Sequence, residues 1–513
     1  MKYRVLALVL IMVLVVPGIA FAKKGPVADK VYFDVRMKEE IGIQDTAHGN
    51  TDAFWFGLSA PQVMGLDQDI LKKLDIYNAP TSSLAISVNP IPNKAPYTWE
   101  KDGNNHFNPM AIQEVRFALN FLINRQYIID EVYGGGGGPM FSPITPGLPG
   151  TYKYGLIESK FGFSPEGDEE RGINEITAAL EKASQLPELK GKLVKGEKWW
   201  TFNGEPVTVK LMIRVDDPNG RMKWGEYVAQ QIEKTGIKVN RLLWDRNKCL
   251  NTLYGTDPGN LEWHMYTEGW SAGGTKKYYD VDITQMYAPW YGNVPGWAEP
   301  SWWNYKNEKI DKYTKKAYFG DILKEEEYWD ALLKATELGL KDAVRLYIGY
   351  TNDYYVTNKA RFDERFIYGL GDGLNKWSLV TANTKDDVLH ATQFSAKGSL
   401  FMSAWDPIGI DGFSDTYAGY IMDPLVDYSY LLSPISADYL PLRVNFDSID
   451  SKATKDEEGN IVGEFEVPAN CIEYDPIENK WVEVGEGRTA ISKGEYSFNY
   501  SNYHHGIPMS MLD

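Results

Sequence analysis

Apolar residues recur at helical spacing after Asn108. Ile112, Val115, Leu119 and Leu122 define one face, and Ile129 extends it. This period predicts a long amphipathic helix, with Leu119 and Leu122 buried and Gln113 exposed. Asn108 supplies an N-cap and Pro109 a first helical residue. The pattern stops at five glycines, Gly134–Gly138, which read as a turn or a flexible hinge. Elsewhere the period changes to that of strands. "KVYFDVRM" from Lys30, "PVTVKLMIRVDD" from Pro206, "IKVNRLLW" from Ile237 and "LEWHMYTEGW" from Leu261 are expected strands, and "GNTDAFWFG" from Gly49 is a turn entering another. Between them "NGRMKWGEYVAQQIEKTG" from Asn219 is a helix with Met222, Val228 and Ile232 inward and Gly236 at its end. Helical patterns return from Glu308 to Asp342, and "RLYIGYTNDYYVTN" from Arg345 is a strand leading back to the first lobe. "SKATKDEEGNIVGE" from Ser451 reads as a polar surface loop. Strands alternating with helices of this length imply an α/β fold with a parallel or mixed sheet covered on both faces.

The chain of 513 residues is long enough for two or three lobes. Its first residues carry Lys2 and Arg4, an apolar run from Val5 to Val16, and Ala20-Phe21-Ala22. That arrangement is a secretory signal peptide over residues 1–22, and the run is short for a membrane span. The mature protein is therefore expected outside the cytoplasm, at the cell surface or in a periplasm. A net charge of −17 argues against nucleic acid and against anionic membrane surfaces. The two cysteines, Cys249 and Cys471, form no disulfide framework, and the sequence leaves open whether they pair.

Chemical motifs are few. The glycine run lacks the Gly-Lys-Ser/Thr ending of a phosphate-binding loop and follows a helix rather than preceding one. The six histidines are scattered, and His504-His505 cannot hold one metal from a regular helix face. "DPIGIDGFSD" from Asp406 lacks the spacing of a calcium loop. No metal and no cofactor is expected. The outstanding feature is the aromatic load in "TEGWSAGGTKKYYDVD" and the Pro-rich loop from Pro289 to Trp303. Rings in loops after strand ends are candidates for contact with a sugar or a peptide side chain.

"EVRFALNFLINRQYIIDEVYGGGGGP" resembles the signature helix of the family 5 extracellular solute-binding proteins, the peptide/nickel-type receptors of ATP-binding-cassette importers. The matching positions are Val115-Arg116, Ala118-Leu119, Asn124-Arg125, Ile128-Ile129 and Gly138-Pro139. Asn124 departs from the usual Asp. "GNTDAF" at Gly49, "TEGWSAG" around Trp270, and Asn304, Asn307 and Asp311 in "WWNYKNEKIDKYTKKA" are similar to further family segments. The likeness runs from about residue 30 to 380. The stretches from Gly398 to Tyr428 and from Tyr496 to Asp513 are similar to segments that open family members, so the order reads as circularly permuted, with the first lobe incomplete.

The resemblance implies a two-lobed flytrap with an extra subdomain. Residues 23–205 are assigned to part of lobe I, 206–360 to lobe II, and 361–513 to a return to lobe I plus the permuted opening segment and the start of the extra subdomain. The implied function is a non-enzymatic extracytoplasmic receptor that binds oligopeptide between the lobes and delivers it to a membrane permease. An oligosaccharide ligand is the alternative, and the rivals of other classes are an extracellular glycoside hydrolase and a receptor-like or chaperone-like surface protein. In peptide-binding members an Asp shortly after the Gly-Trp segment holds the peptide α-amino group. Here Trp270 is followed by nine residues before Asp280, so the Asp is displaced from the usual spacing, and Lys276 and Lys277 beside it compete for the carboxylate. The expected ligand contacts are Trp270, Tyr278, Tyr279, Asp280 and Trp405.

Overall fold

In the computed structural model the described residues are 26–394 except 102, 147, 272, 273, 292, 297, 298, 303 and 304, then 419–421, and 428–510 except 504. The signal peptide, Trp405 and most of the 398–428 segment lie outside them. Nine strands form the main sheet: β1 (Lys30–Arg36), β2 (Ala53–Leu58), β3 (Leu74–Val88), β4 (Gly137–Pro139), β5 (Thr208–Arg214), β6 (Lys238–Trp244), β7 (Met265–Ser271), β8 (Arg345–Asn358) and β9 (Val388–Phe394). The order is β1-β9-β2-β8-β3-β7-β5-β6, with β4 added to β8. The pairs β1–β9, β9–β2, β5–β7 and β5–β6 are parallel, and β2–β8, β8–β3, β3–β7 and β4–β8 are antiparallel. The sheet is thus mixed, as the alternation of elements implies. Its main helices are α1 (Glu39–His48), α2 (Gln113–Leu122), α3 (Tyr152–Lys160), α4 (Glu169–Ser184), α5 (Arg221–Glu233), α6 (Arg246–Gly255), α7 (Asp280–Tyr287), α8 (Glu308–Phe319), α9 (Glu325–Asp342) and α10 (Lys376–Thr381).

The two-lobed architecture follows from β3 and β8. They pair along almost their whole length, from Arg345 opposite Ser87 to Asn358 opposite Leu74. Both ends of β8 are buried, but Tyr350–Tyr354 in its middle is half-exposed. One end carries Leu84, Ile86, Leu346 and Ile348 on one face and Ala85 and Tyr347 on the other, each face covered by helices. The other end carries Tyr77 and Tyr355 with Trp55 and Phe366, and Leu74 and Val356 with Phe54. Alternate residues of a strand point to opposite faces, so two separate bodies form around one strand pair with a thin waist between them. A register shift between Tyr347 and Gly349 lies just before that waist and a second, between Thr351 and Asp353, falls within it. The core shows no break at residue 206. The apolar face of α2, with Val115, Ala118, Leu119 and Leu122, shares a core with α4 and with Val209 and Leu211 of β5.

Several local expectations need revision. The long helix is broken: α2 ends at Leu122, Ile123 and Asn124 are extended, and a new turn starts at Arg125. The cause is Arg125, whose guanidinium is fully buried. It donates to the carbonyls of Asn120 (2.9 Å), Met140 (3.1 Å) and Tyr347 (2.8 Å) and to Asn120 Oδ1 (2.7 Å). The Asn124 N–H that a continuous helix would send to Asn120 donates instead to the Tyr227 hydroxyl. Asn108 does cap, but it caps a short 3-10 turn over Pro109–Ala111. Leu119 and Leu122 are buried, whereas Gln113 is half-buried and Glu114 takes the exposed place. In α5 it is Trp224, not Met222, that joins Val228 and Ile232 inward. Met222 lies two residues away, roughly 200° around the helix, and is exposed. The segment from Ser451 is no plain loop, because Ala453–Lys455 pairs with Ile461–Gly463 as a hairpin. Cys249 and Cys471 are both free. No helix among the described residues is long and apolar enough to cross a membrane.

Candidate functional site

The C-terminal end of β7 carries the sequence Glu268-Gly269-Trp270. Glu268 is buried and held by Arg345, whose Nε and Nη2 donate to its two carboxylate oxygens at 2.6 and 3.1 Å. The Tyr254 hydroxyl donates to Glu268 Oε1 at 2.9 Å. A charge buried this deeply persists only when paired and hydrogen-bonded, and this one fixes the strand end. Gly269 lets the Arg221 guanidinium lie close over the strand: a Cβ there would stand 2.3 Å from Arg221 Nη2 and would push that side chain aside. Trp270 pairs across the sheet with Ser83, which Tyr350 faces from the other side at the waist. Its ring is half-buried with its centroid 6.0 Å from the Arg345 guanidinium carbon, and its buried Nε1 makes no hydrogen bond among the described residues.

The chain returns as α7, which opens with Asp280. Lys276 pairs with Asp282 at 2.9 Å and Lys277 lies 3.8 Å from Glu325, so neither lysine pairs with Asp280. The Asp280 carboxylate is half-buried at a helix N-terminus and takes a hydrogen bond from the Tyr328 hydroxyl. Burial and then Asp280 hold the Tyr328 phenol above its ordinary value. Tyr278 donates to Glu325 Oε1 at 2.8 Å, and its ring centroid is 4.5 Å from that of Tyr328 and 5.4 Å from that of Trp329. Tyr279 is 3% exposed and packs its ring into the core of this lobe.

Of the expected contact residues, the structure brings Tyr278 and Asp280 together around Tyr328 and places Trp270 at the adjoining strand end. It buries Tyr279 behind them. Three further groups escaped the sequence reading. Glu325 and Tyr328 look like any polar and apolar positions of an amphipathic helix. Asp372 lies in "GLGDGLN", where a Cβ on Gly274 would come within 3.0 Å of its Oδ2. Burial pushes the Asp372 carboxyl up to about 6, against the bond donated by Asn375 Nδ2 at 3.1 Å. A glycine-flanked Asp was the available signal for it. The described residues hold no group of three or more His, Cys, Asp or Glu arranged to bind a metal ion.

A family model described as "Bacterial extracellular solute-binding proteins, family 5 Middle" matches residues 28–291. No curated protein matches the chain. Among solved structures, the periplasmic oligopeptide-binding protein of an oligopeptide transporter from Thermotoga maritima is similar with a TM-score of 0.50 and 19% identity, covering 67% of this chain and 59% of that one. A Thermotoga maritima structure described as a periplasmic oligopeptide-binding protein with mannohexaose bound gives 0.49 and 17%, covering 68% and 61%. The oligopeptide-binding protein AppA from Bacillus subtilis, in complex with a nonapeptide, gives 0.47 and 15%, covering 68% and 60%. The chain therefore spans about three fifths of the length of each of these structures.

Proposed function

Because the chain belongs to the bacterial extracellular solute-binding proteins of family 5, we propose that it captures an oligopeptide outside the cytoplasm for an ATP-binding-cassette importer. The observation that carries the ligand class is Asp280. Its carboxylate is half-buried, sits beside the Tyr278 and Tyr328 rings, and is left unpaired by both neighbouring lysines. A partly desolvated carboxylate is well suited to a peptide α-ammonium group, and such charge-assisted bonds are among the strongest polar contacts. Trp270 and Tyr278 offer faces for the first side chains, with Tyr279 bracing them from the core. Trp405 belongs to the same proposal but lies outside the described residues. The waist in β3 and β8 supports a closing motion about two strands that moves one body onto the other. The expected partner is a membrane permease that receives the closed, loaded form, and the signal-like first residues support capture on the outer side. The residues perform no chemistry in this reading.

Titration calorimetry of the full chain against a panel of two- to nine-residue peptides and β-linked oligosaccharides tests it. A peptide should bind, and Asp280→Asn should weaken it by about 1.5–3 kcal/mol, roughly 10- to 100-fold. Trp270→Ala should weaken whichever ligand binds. An oligosaccharide that binds tightly, together with an Asp280→Asn variant of unchanged peptide affinity, would replace peptide by sugar. Turnover of any panel member would replace the receptor by an enzyme.

A further inference from the structure

At the opposite end of β7 from Trp270 the structure holds a cavity of about 550 Å³. It opens where β5 begins, beside the hairpin Thr98–Lys101/Asn104–Phe107 and the turn at Asn260-Leu261. His264 immediately precedes β7, six residues from Trp270, which is roughly 20 Å along an extended strand. The volume is in the range of small-molecule sites.

The wall is rich in donors. Lys101 Nζ donates to Asn260 O at 2.8 Å and Lys210 Nζ to Leu261 O at 2.9 Å, and neither ammonium forms an ion pair among the described residues. Each therefore keeps N–H groups beyond the one that is used. His264 is 5% exposed, and its Nδ1 accepts the backbone N–H of Lys210 at 3.2 Å. Burial, then Lys210 and His106, push this imidazole down to about 3, so the ring is neutral and its proton sits on Nε2 as another donor. Asn105 and Asn203 add amides. Glu205 is the acidic residue of the lining, and Glu262 acts on Lys210 from nearby. The apolar part of the wall includes Phe107 and Phe202, both buried, with ring centroids 5.7 Å apart, beside Val207 and Leu261.

Among the described lining residues two lysines outnumber the single carboxylate, Glu205, in a molecule whose net charge is −17. The lining offers no arginine fork, which would favour phosphate. We propose that this cavity binds a small organic carboxylate with an apolar body, its anionic end on Lys101, Lys210 and the His264 Nε2–H and its body against Phe107 and Phe202. The site is separate from the Trp270 region and does not depend on the ligand proposed there.

The test is calorimetry and amide-resolved NMR on the full chain, with benzoate, hexanoate and inorganic phosphate as probes. Benzoate or hexanoate should bind at submillimolar to millimolar concentration and shift amides of residues 101–107, 203–210 and 260–264. Lys101→Gln and Lys210→Gln should each weaken binding by about 10-fold, as loss of a charge-assisted bond does. The shift map on the wild-type protein keeps the test open if a variant fails to fold. Silence of both carboxylates at 10 mM, shifts located elsewhere, or affinity unchanged by both substitutions overturns the proposal. Binding of phosphate alone also overturns it.

Discussion

Arg116 and Arg125 stand nine residues apart and are both fully buried, but they are satisfied differently. Arg116 pairs with Asp342 at 2.9 Å and also donates to the Asp342 and Met110 carbonyls. Arg125 is met mainly by carbonyls, and burial pushes it down to about 9. The two arginines were legible as part of a motif, but their acceptors, supplied by residues up to 226 positions away, were not. Asp353 poses the opposite problem. It sits at the waist, accepts bonds from the Thr81 and Ser82 hydroxyls, and has no cation partner among the described residues. Burial, reinforced by Glu39, pushes it from 3.8 up to about 6. The folded form then holds a proton that the unfolded form has released, so its contribution to stability is complete below about pH 4 and is lost as pH rises through 6. Urea titrations at pH 4, 5, 6 and 7 should show Asp353→Asn gaining on the wild type across that interval by about 2–3 kcal/mol. A difference that stays constant with pH would contradict this account.

The glycine run shows how an element can be recognised by composition and still be misjudged in kind. Gly134 and Gly135 have φ of 59° and 72°, which fits the expected turn. The end of the run is part of the sheet. Gly137–Pro139 is β4, paired with Gly349–Thr351 of β8. A Cβ on Gly137 would stand 2.0 Å from the Tyr350 carbonyl oxygen, and one on Gly138 2.7 Å from the Tyr350 ring. The glycines permit a backbone to lie against the waist, a contact invisible to any local pattern because its partner is more than 200 residues away. Gly137→Ala is therefore expected to destabilise by about 1–3 kcal/mol through overpacking, with a lower thermal midpoint. Leu119→Ala, in the core of α2, should cost about 2–5 kcal/mol through a cavity. Equilibrium dialysis with ATP should show no retention by this turn, and measurable retention would reopen the phosphate reading.

At the scale of the molecule the sheet, its mixed direction and the return of β8 follow from strand periods and the helices between them. The division into bodies does not, because it depends on which faces of β3 and β8 the helices cover. The segment from Tyr430 to Phe498 contrasts with that sheet. It consists of two-stranded pairs, such as Val444–Ser451 with Ser492–Phe498, and it leaves Phe446, Ile449, Tyr496 and Phe498 exposed. Among the described residues of this segment only Ala437 and Val444 belong to the buried apolar set. Isolated two-stranded pairs are marginal in water, because one ladder of hydrogen bonds does not offset the ordering of two strands without a buried face. Strand β8, by contrast, is paired with β3 along almost its whole length and with β2 at its far end, and its Arg345–Gly349 end is buried under helices on both faces. Local opening should thus be far easier in the hairpins than in the sheet. Hydrogen exchange read by mass spectrometry should show the amides of Val444–Ser451 exchanging at least about 100-fold faster than those of Arg345–Gly349, a gap of near 3 kcal/mol in opening free energy. Equal protection of the two strands would mean that the exposed faces of the hairpins are covered in solution, and the contrast drawn here between a covered sheet and bare hairpins would fail.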